Sequence, residues 1–353
     1  MATALRLFDN CILTIGYGRS IICDVQRTKY YLIPNSLALL FRNNILNFGF
    51  VTDDEDKKIL DEYVDFLISN ELCFYVRDEV LDNFAVINLF EWDNAANITN
   101  AIFEIKKSKI DIYIDALNAL NDIFGTSHFE LHFTEPLSRN NIDHIALLLK
   151  YVDFDNVNLI FSIDDTLDVD YVLQIVNNDP RIFRTVIYLY SNIDQISVIN
   201  TIGGSLFIMA NKFSYDNCGV INELYFTNNV EHITESHNHN TCLNRKISID
   251  DNGNVKNCPN MPNVYGNIFK ENLVDILQHK DVSQYWQIKK DAIKVCQDCE
   301  YRHICTDCRA FLKDKDDILS KPLKCDYDPY TNKWEKNKQE LAKFSMVDGG
   351  RIS

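Results

Sequence analysis

Seven cysteines in the last third of this chain are spaced rather than scattered, and no other feature narrows the possible folds as much. Cys242 and Cys258 flank a polar turn sequence around Gly253, Cys296, Cys299, Cys305 and Cys308 follow as a quartet, and Cys325 stands behind them. Pairs two residues apart can grip one centre from a single turn, and thiolates favour soft metals. Seven is odd, so a complete set of disulfides is excluded. Two four-coordinate centres fit if one non-cysteine group completes the set, and an iron–sulfur centre is the first expectation. Zinc is the alternative. Two Cys-x2-Cys pairs suit tetrahedral zinc, but only five residues separate Cys299 from Cys305, whereas zinc ribbons usually leave more than about a dozen.

At 353 residues the chain has room for two or three domains with real cores. Neither the start, Met1 to Asp9, nor any later stretch holds an apolar run long enough for a membrane span. A soluble, cytoplasmic protein without a membrane partner is expected, in a compartment where thiols stay reduced and metal is favoured over disulfide. A net charge of -16 argues against nucleic acid as a partner, because phosphate binding needs a basic face. Solubility explains that charge; attraction to a basic peptide is the functional counterpart.

The cysteine pattern resembles the SPASM domain, which follows the catalytic barrel of many radical S-adenosylmethionine enzymes that mature peptides and which holds auxiliary [4Fe–4S] clusters. One spacing departs from that family. Two residues, Thr306 and Asp307, separate Cys305 from Cys308 where three are usual. The wider text around His237, His239 and Cys242, around Asn257 to Met261, and from Cys305 to Ala310 is similar to the SPASM maturase of grasp-with-spasm systems. That resemblance implies up to two [4Fe–4S] clusters, a ribosomally made precursor peptide as substrate, and an ATP-grasp ligase as partner. It assigns Cys242, Cys258 and Cys308 to one cluster and Cys296, Cys299, Cys305 and Cys325 to the other. His237 or His239, just ahead of Cys242, is placed to supply a further metal ligand. The shortened Cys305 to Cys308 loop would change where Cys308 points.

Taken in order, residues 1–80 read as a small domain. Cys11–Gly16, Arg19–Val25 and Lys29–Ile33 are strand-like around a Gly16-Tyr17-Gly18 turn. Pro34, Asn35 and Ser36 predict a helix through Leu37, Leu40 and Phe41. A second helix is expected from Thr52, with Ile59, Tyr63, Phe66 and Leu67 on its apolar side, before a closing strand over Glu71–Val76. This order resembles the winged-helix element that binds precursor leaders by strand addition. Cys11, Cys23 and Cys73 read as buried small hydrophobes.

From 81 to 235, strand-like runs alternate with helical ones, which implies a mainly parallel sheet. The strands read at Ala85–Phe90, His128–Phe133, Asn156–Ile163, Thr185–Tyr190, Ser205–Met209 and Glu223–Thr227, with helices over Asn141–Lys150 and Tyr171–Val176. Six strands ahead of a SPASM-like segment resembles the partial (β/α)6 barrel of the radical enzymes. That superfamily carries three cysteines after its first strand, but Phe90 to Asn100 has none, and no other part of the first two hundred residues has their spacing. Thr134-Glu135-Pro136 keeps the Glu-Pro of a cosubstrate-binding Gly-Gly-Glu-Pro motif and loses both glycines, which allow close backbone approach. A degenerate barrel that does not take S-adenosylmethionine is expected. On its second strand His128, Glu130, His132 and Thr134 share one polar face, suited to a metal or a peptide carboxylate.

The last domain, 236–353, follows the polar linker Glu231 to Thr241. Ile247–Ile249 with Asp250 to Gly253 reads as a strand and hairpin turn presenting Cys258. Leu273 to Ile288 reads as helical, and Asp326 to Trp334 as a docking helix. The ending Asp348 to Ser353 reads as loose. The fold class is thus α/β: winged-helix-like domain, degenerate barrel, cysteine-rich SPASM domain. The functional expectation is a peptide-maturation factor. A redox enzyme using an open auxiliary cluster and a zinc-stapled adaptor are the alternatives.

Overall fold

The computed structural model describes residues 3–48, 53–84, 91–190 and 196–335. In chain order these form β1 (Thr3–Leu7), β2 (Cys11–Ile15), β3 (Ser20–Asp24), β4 (Lys29–Ile33), α1 (Asn35–Ala38), β5 (Phe41–Arg42), β6 (Ile45–Leu46), α2 (Asp54–Ser69) and β7 (Cys73–Arg77). Then come β8 (Asn100–Ile105), α3 (Ile110–Phe124), β9 (His128–Phe133), α4 (Arg139–Leu149), β10 (Asn156–Phe161), α5 (Val169–Asn178), β11 (Ile182–Ile187), β12 (Ser197–Asn200) and β13 (Ser205–Ile208). The last stretch holds α6 (Val230–Asn238), β14 (Lys246–Ile249), β15 (Asn254–Lys256), β16 (Gly266–Asn267), α7 (Leu273–Leu277), β17 (Tyr327–Asp328) and β18 (Lys333–Trp334). No described helix is long and apolar enough to cross a membrane.

These elements sort into two compact units. The first gathers described residues of Met1–Trp92, Gly219–Thr241 and Gln287–Lys338, the second those of Asp93–Cys218 and Cys242–Trp286.

In the first unit β2, β3 and β4 make an antiparallel sheet, and β5, β6, β1 and β7 make another in that order. β3 is buried along its whole length, and its alternation feeds two cores. Ile22 packs with Leu5, Leu37, Leu67 and Cys73 on one side. Ile21 and Cys23 face Ile233, Tyr301, Ile304 and Tyr327 on the other. The N-terminal hairpins therefore form one wall of the cysteine-rich segment. At Gly16 an added Cβ would lie 2.7 Å from the backbone nitrogen of Glu300, so only glycine permits that approach. Next to it Arg19 donates from Nε to Oε1 of the fully buried Glu300 at 2.7 Å, and Tyr327 donates its hydroxyl to the same oxygen.

Two expectations for this unit need correction. The first helix ends at Ala38, and Phe41 enters a strand, because Asn43 and Asn44 both adopt positive φ and close a tight β5–β6 turn. α2 begins at Asp54, capped by the Asp53 carboxylate, and buries Leu60, Val64 and Leu67, while Ile59 is exposed. Cys11, Cys23 and Cys73 are buried free thiols.

The second unit is a mixed α/β layer around a nine-stranded sheet ordered β12-β13-β11-β10-β9-β8-β14-β15-β16. From β13 to β14 all neighbours run parallel. α3, α4 and α5 cover one face, burying Tyr113, Leu117, Ile145 and Val172 against Phe103, Phe129, Leu131 and Leu159. β14 and β15 form the expected hairpin, with Gly253 at φ +81° completing the turn after Asp250.

Several readings change here. β8 and α3 were not expected, and β14 supplies the strand beside β8. Glu223 to Thr227 is not a strand: Asn222 accepts a hydrogen bond from Leu224 N and fixes a 3-10 turn over Glu223–Tyr225. Glu231 to Thr241 is not an extended linker but mostly α6, capped by Asn229. The helix expected over Leu273 to Ile288 stops at Leu277 and continues as a 3-10 turn. Asp326 to Trp334 is the β17–β18 hairpin, which Asn332 permits by taking φ +57°. The strand expected at Ala85–Phe90 and the ending Asp348 to Ser353 lie outside the described residues.

Candidate metal centre

Cys296, Cys299, Cys305 and Cys325 line one cavity. Local turns aim them. Val295 is held at φ +69°, a conformation a β-branched residue adopts only when its surroundings impose it. Cys296 then opens a 3-10 turn, and Cys299 closes it by donating from N to Cys296 O at 3.0 Å. Cys325 arrives from the other side through a parallel bridge to Ile221. Phe226, Tyr301, Tyr327 and Trp334 supply apolar walls. Such walls limit water and so govern the potential of a bound redox centre.

One buried cation serves this cavity. Lys290 is 3 % exposed, and its Nζ lies 3.5 Å from Cys305 Sγ and 3.6 Å from Asp307 Oδ1. Burial works against its charge, but Cys305, Cys296 and Asp307 together push its pKa above the usual lysine range. Asp307, itself buried, also accepts from Arg309 at 2.6 Å and from Asn240 at 2.6 Å. Arg309 completes its fork on the Ser320 and Ile318 carbonyls. Burial pushes the Cys305 thiol up to about 12 and raises Cys296 and Cys299 as well. The buried Cys296 and Cys305 thiols do not ionise together near neutral pH unless a positive centre joins them. The donor set fits an iron–sulfur cluster or a thiolate-bound metal, and Lys290 offsets part of the negative charge that either carries.

Lys290→Met should therefore lower the reduction potential of a cluster here. A unit charge several ångströms away at an effective dielectric of about 20 is worth roughly 2–3 kcal/mol, or on the order of 0.1 V for one electron. A redox titration followed by electron paramagnetic resonance reads this directly. An unchanged or higher potential would remove Lys290 from the electrostatics of the site.

The other expected ligands are placed as follows. Cys242 and Cys258 are half-buried in the second unit. Cys308 is buried in the first, against Gly219, where an added Cβ would sit 2.7 Å from its Sγ. His237 stacks on His303 with ring centroids 3.7 Å apart, and His239 meets the Trp92 ring edge-on at 5.3 Å. Spacing did not reveal Lys290, Asp307 or Arg309. A lysine six positions before the first Cys-x2-Cys pair, and acid and base around Cys308, were the available signals.

The polar face of β9 lies in the second unit. Glu130 accepts from Arg184 at 3.0 Å, Asn158 at 3.2 Å and Tyr215 at 2.9 Å. His132 is buried among Tyr188, Phe213 and Tyr215, with neither ring nitrogen hydrogen-bonded. Thr134 turns its hydroxyl to the Ile105 carbonyl, and the Glu135 carboxylate caps Lys107 N. Burial pulls His132 down to about 4. Above the unfolded value near 6.5 the ring is neutral in both states; as pH falls from there to about 4, only the unfolded chain takes up the proton. Stability should thus fall across that window by on the order of 2–3 kcal/mol. Denaturation of the protein and of His132→Phe at pH 7 and pH 4.5 tests this: an equal acid loss in both would exclude His132 as its source.

Among curated proteins none matches this chain. A similar solved structure is the crystal structure of Streptococcus suis SuiB bound to S-adenosylmethionine, at 11% identity, covering 87% of this chain and 96% of that one with a TM-score of 0.34. A score at that level does not establish a shared fold. Residues 241–300, which contain Cys242, Cys258, Cys296 and Cys299, match the model of the SPASM family, an iron-sulfur cluster-binding domain.

Proposed function

We propose that this chain is an iron–sulfur maturation factor for a ribosomally synthesised peptide, of the grasp-with-spasm kind. The observation that carries the reading is the convergence of Cys296, Cys299, Cys305 and Cys325 on one apolar cavity beside a buried ammonium, in a segment overlapping the SPASM match. These four thiols would hold a [4Fe–4S] cluster. A fully cysteine-ligated cluster has no open iron, so its role is to staple the fold or pass electrons rather than to bind substrate. Cys242, Cys258 and Cys308 are assigned to a second cluster by resemblance alone, with a further ligand from the stretch His237 to His239.

The N-terminal strands serve as the leader-binding element in this reading. β4 and β7 end their sheets among the described residues, and an edge strand offers main-chain groups to an added peptide strand. An ATP-grasp ligase acting on the same precursor is the partner that the resemblance alone implies; the sequence shows no phosphate-binding Gly-rich loop. Labelled precursor peptides taken from neighbouring reading frames test the claim by fluorescence anisotropy. Binding that survives removal of the core and disappears with the leader supports it. Binding to the core alone, or to no peptide, contradicts it.

A further inference from the structure

We propose that His237, Asp291 and His303 form a site for a divalent cation of the zinc type, separate from the cysteine cavity. Three elements of the first unit bring them together. His237 stands at the end of α6, Asp291 in the 3-10 turn Lys290–Ala292, and His303 between Cys299 and Cys305. One donor atom from each lies within 4.8 Å of the other two.

The hydrogen bonding around His303 fixes which nitrogen faces the site. Ser236 donates its hydroxyl to the Ile233 carbonyl at 2.7 Å. That proton is committed, so at 3.3 Å from His303 Nδ1 the hydroxyl oxygen acts as acceptor and Nδ1 carries the ring proton. Nε2 of the neutral ring then presents a lone pair toward Asp291 Oδ1, 3.6 Å away. Two acceptors facing each other at that distance repel unless a proton or a metal cation lies between them. His303 is also oriented by a hydrogen bond on its far nitrogen, the arrangement that metal-binding imidazoles use.

The neighbouring charges leave room for a cation. Arg302 donates from Nε to Asp291 Oδ1 at 2.9 Å, which leaves that oxygen a second lone pair for a cation, and Lys289 is spent on the His237 carbonyl at 2.7 Å. Two imidazoles and a carboxylate are a borderline donor set that suits zinc, with at least one position left for water. The site takes His237 away from the cysteine centres and leaves His239 as the histidine available to them. It does not depend on what fills the cysteine cavity.

The test uses the full chain, reconstituted anaerobically with iron and sulfide and then dialysed against stoichiometric zinc. We expect one zinc per chain in addition to the iron, with a nitrogen and oxygen shell in zinc-edge X-ray absorption. His237→Gln and the surface change Asp291→Asn should each weaken that zinc at least about tenfold, and Asp291→Asn should leave iron and sulfide content unchanged. No zinc beyond the iron, which is the outcome if His303 and Asp291 form only an ion pair, would overturn the proposal. So would zinc that enters only as iron leaves, zinc with a sulfur shell, or zinc held equally by both variants. Iron and sulfide content is read in the same samples, so a failure of the cluster reading shows separately.

Discussion

Cys325→Ser and Cys305→Ser should each strip the metal from the cavity and loosen the segment that surrounds it. From Gln287 to Glu335 the chain has only short 3-10 turns and the two-residue strands β17 and β18. Its apolar anchors are few: Ile293, Tyr301, Ile304 and Tyr327 are the deeply buried ones. A segment so poor in regular structure gains much of its folding energy from the metal it holds, on a scale of about 10 kcal/mol for structural zinc peptides. Cys305 is fully enclosed, so its replacement also disturbs packing. Cys325 is only half-buried, and its loss removes a ligand at little packing cost. Both variants should therefore lose about four irons per chain and become sensitive to limited proteolysis between Gln287 and Glu335. Cys218→Ser, at an exposed thiol, should do neither. Full iron retention in Cys325→Ser would show that this thiol is not a ligand.

Asp307→Leu should be the most damaging change that touches no cysteine. Its carboxylate lies between Lys290 and Arg309, and all three side chains are at most 4 % exposed. Leucine keeps the branched shape but leaves the two buried cations without the carboxylate they share. Breaking a buried ion pair from one side typically costs about 3–5 kcal/mol. Asn240 donates to the same carboxylate and to the Ile288 carbonyl, so Asn240→Ala should cost about 1.5–3 kcal/mol. Chemical denaturation of the loaded protein measures both. A loss under about 1 kcal/mol for Asp307→Leu would mean that the cations relax to water. Asp307, one of the two residues between Cys305 and Cys308, points inward at Lys290 and Arg309.

The grouping of Cys296, Cys299, Cys305 and Cys325 could be expected from family spacing, and the cavity places those four side by side. The charges beside them could not, because Lys290, Asp307 and Arg309 meet through irregular turns that carry no period to read. Period also decided the rest of the chain. β9, β10, α4 and α5 have clear apolar patterns and form where expected. The apolar run Leu224-Tyr225-Phe226 has high strand propensity, yet Asn222 turns it into a cap, a local hydrogen bond overriding composition. α6 was hidden by its polar residues: only His232, Ile233 and Ser236 are buried on it. β8 and α3 had a legible signal, since Ile110, Tyr113, Ile114, Leu117 and Leu120 recur at helical spacing and are all buried.

Iron and acid-labile sulfide per chain, measured on protein isolated without oxygen, test the central claim most directly. A chain built as described should be brown and hold at least about four irons with as many sulfides, rising toward eight if Cys242, Cys258 and Cys308 carry a second cluster. Colourless protein with zinc in place of iron, and no sulfide, would contradict it.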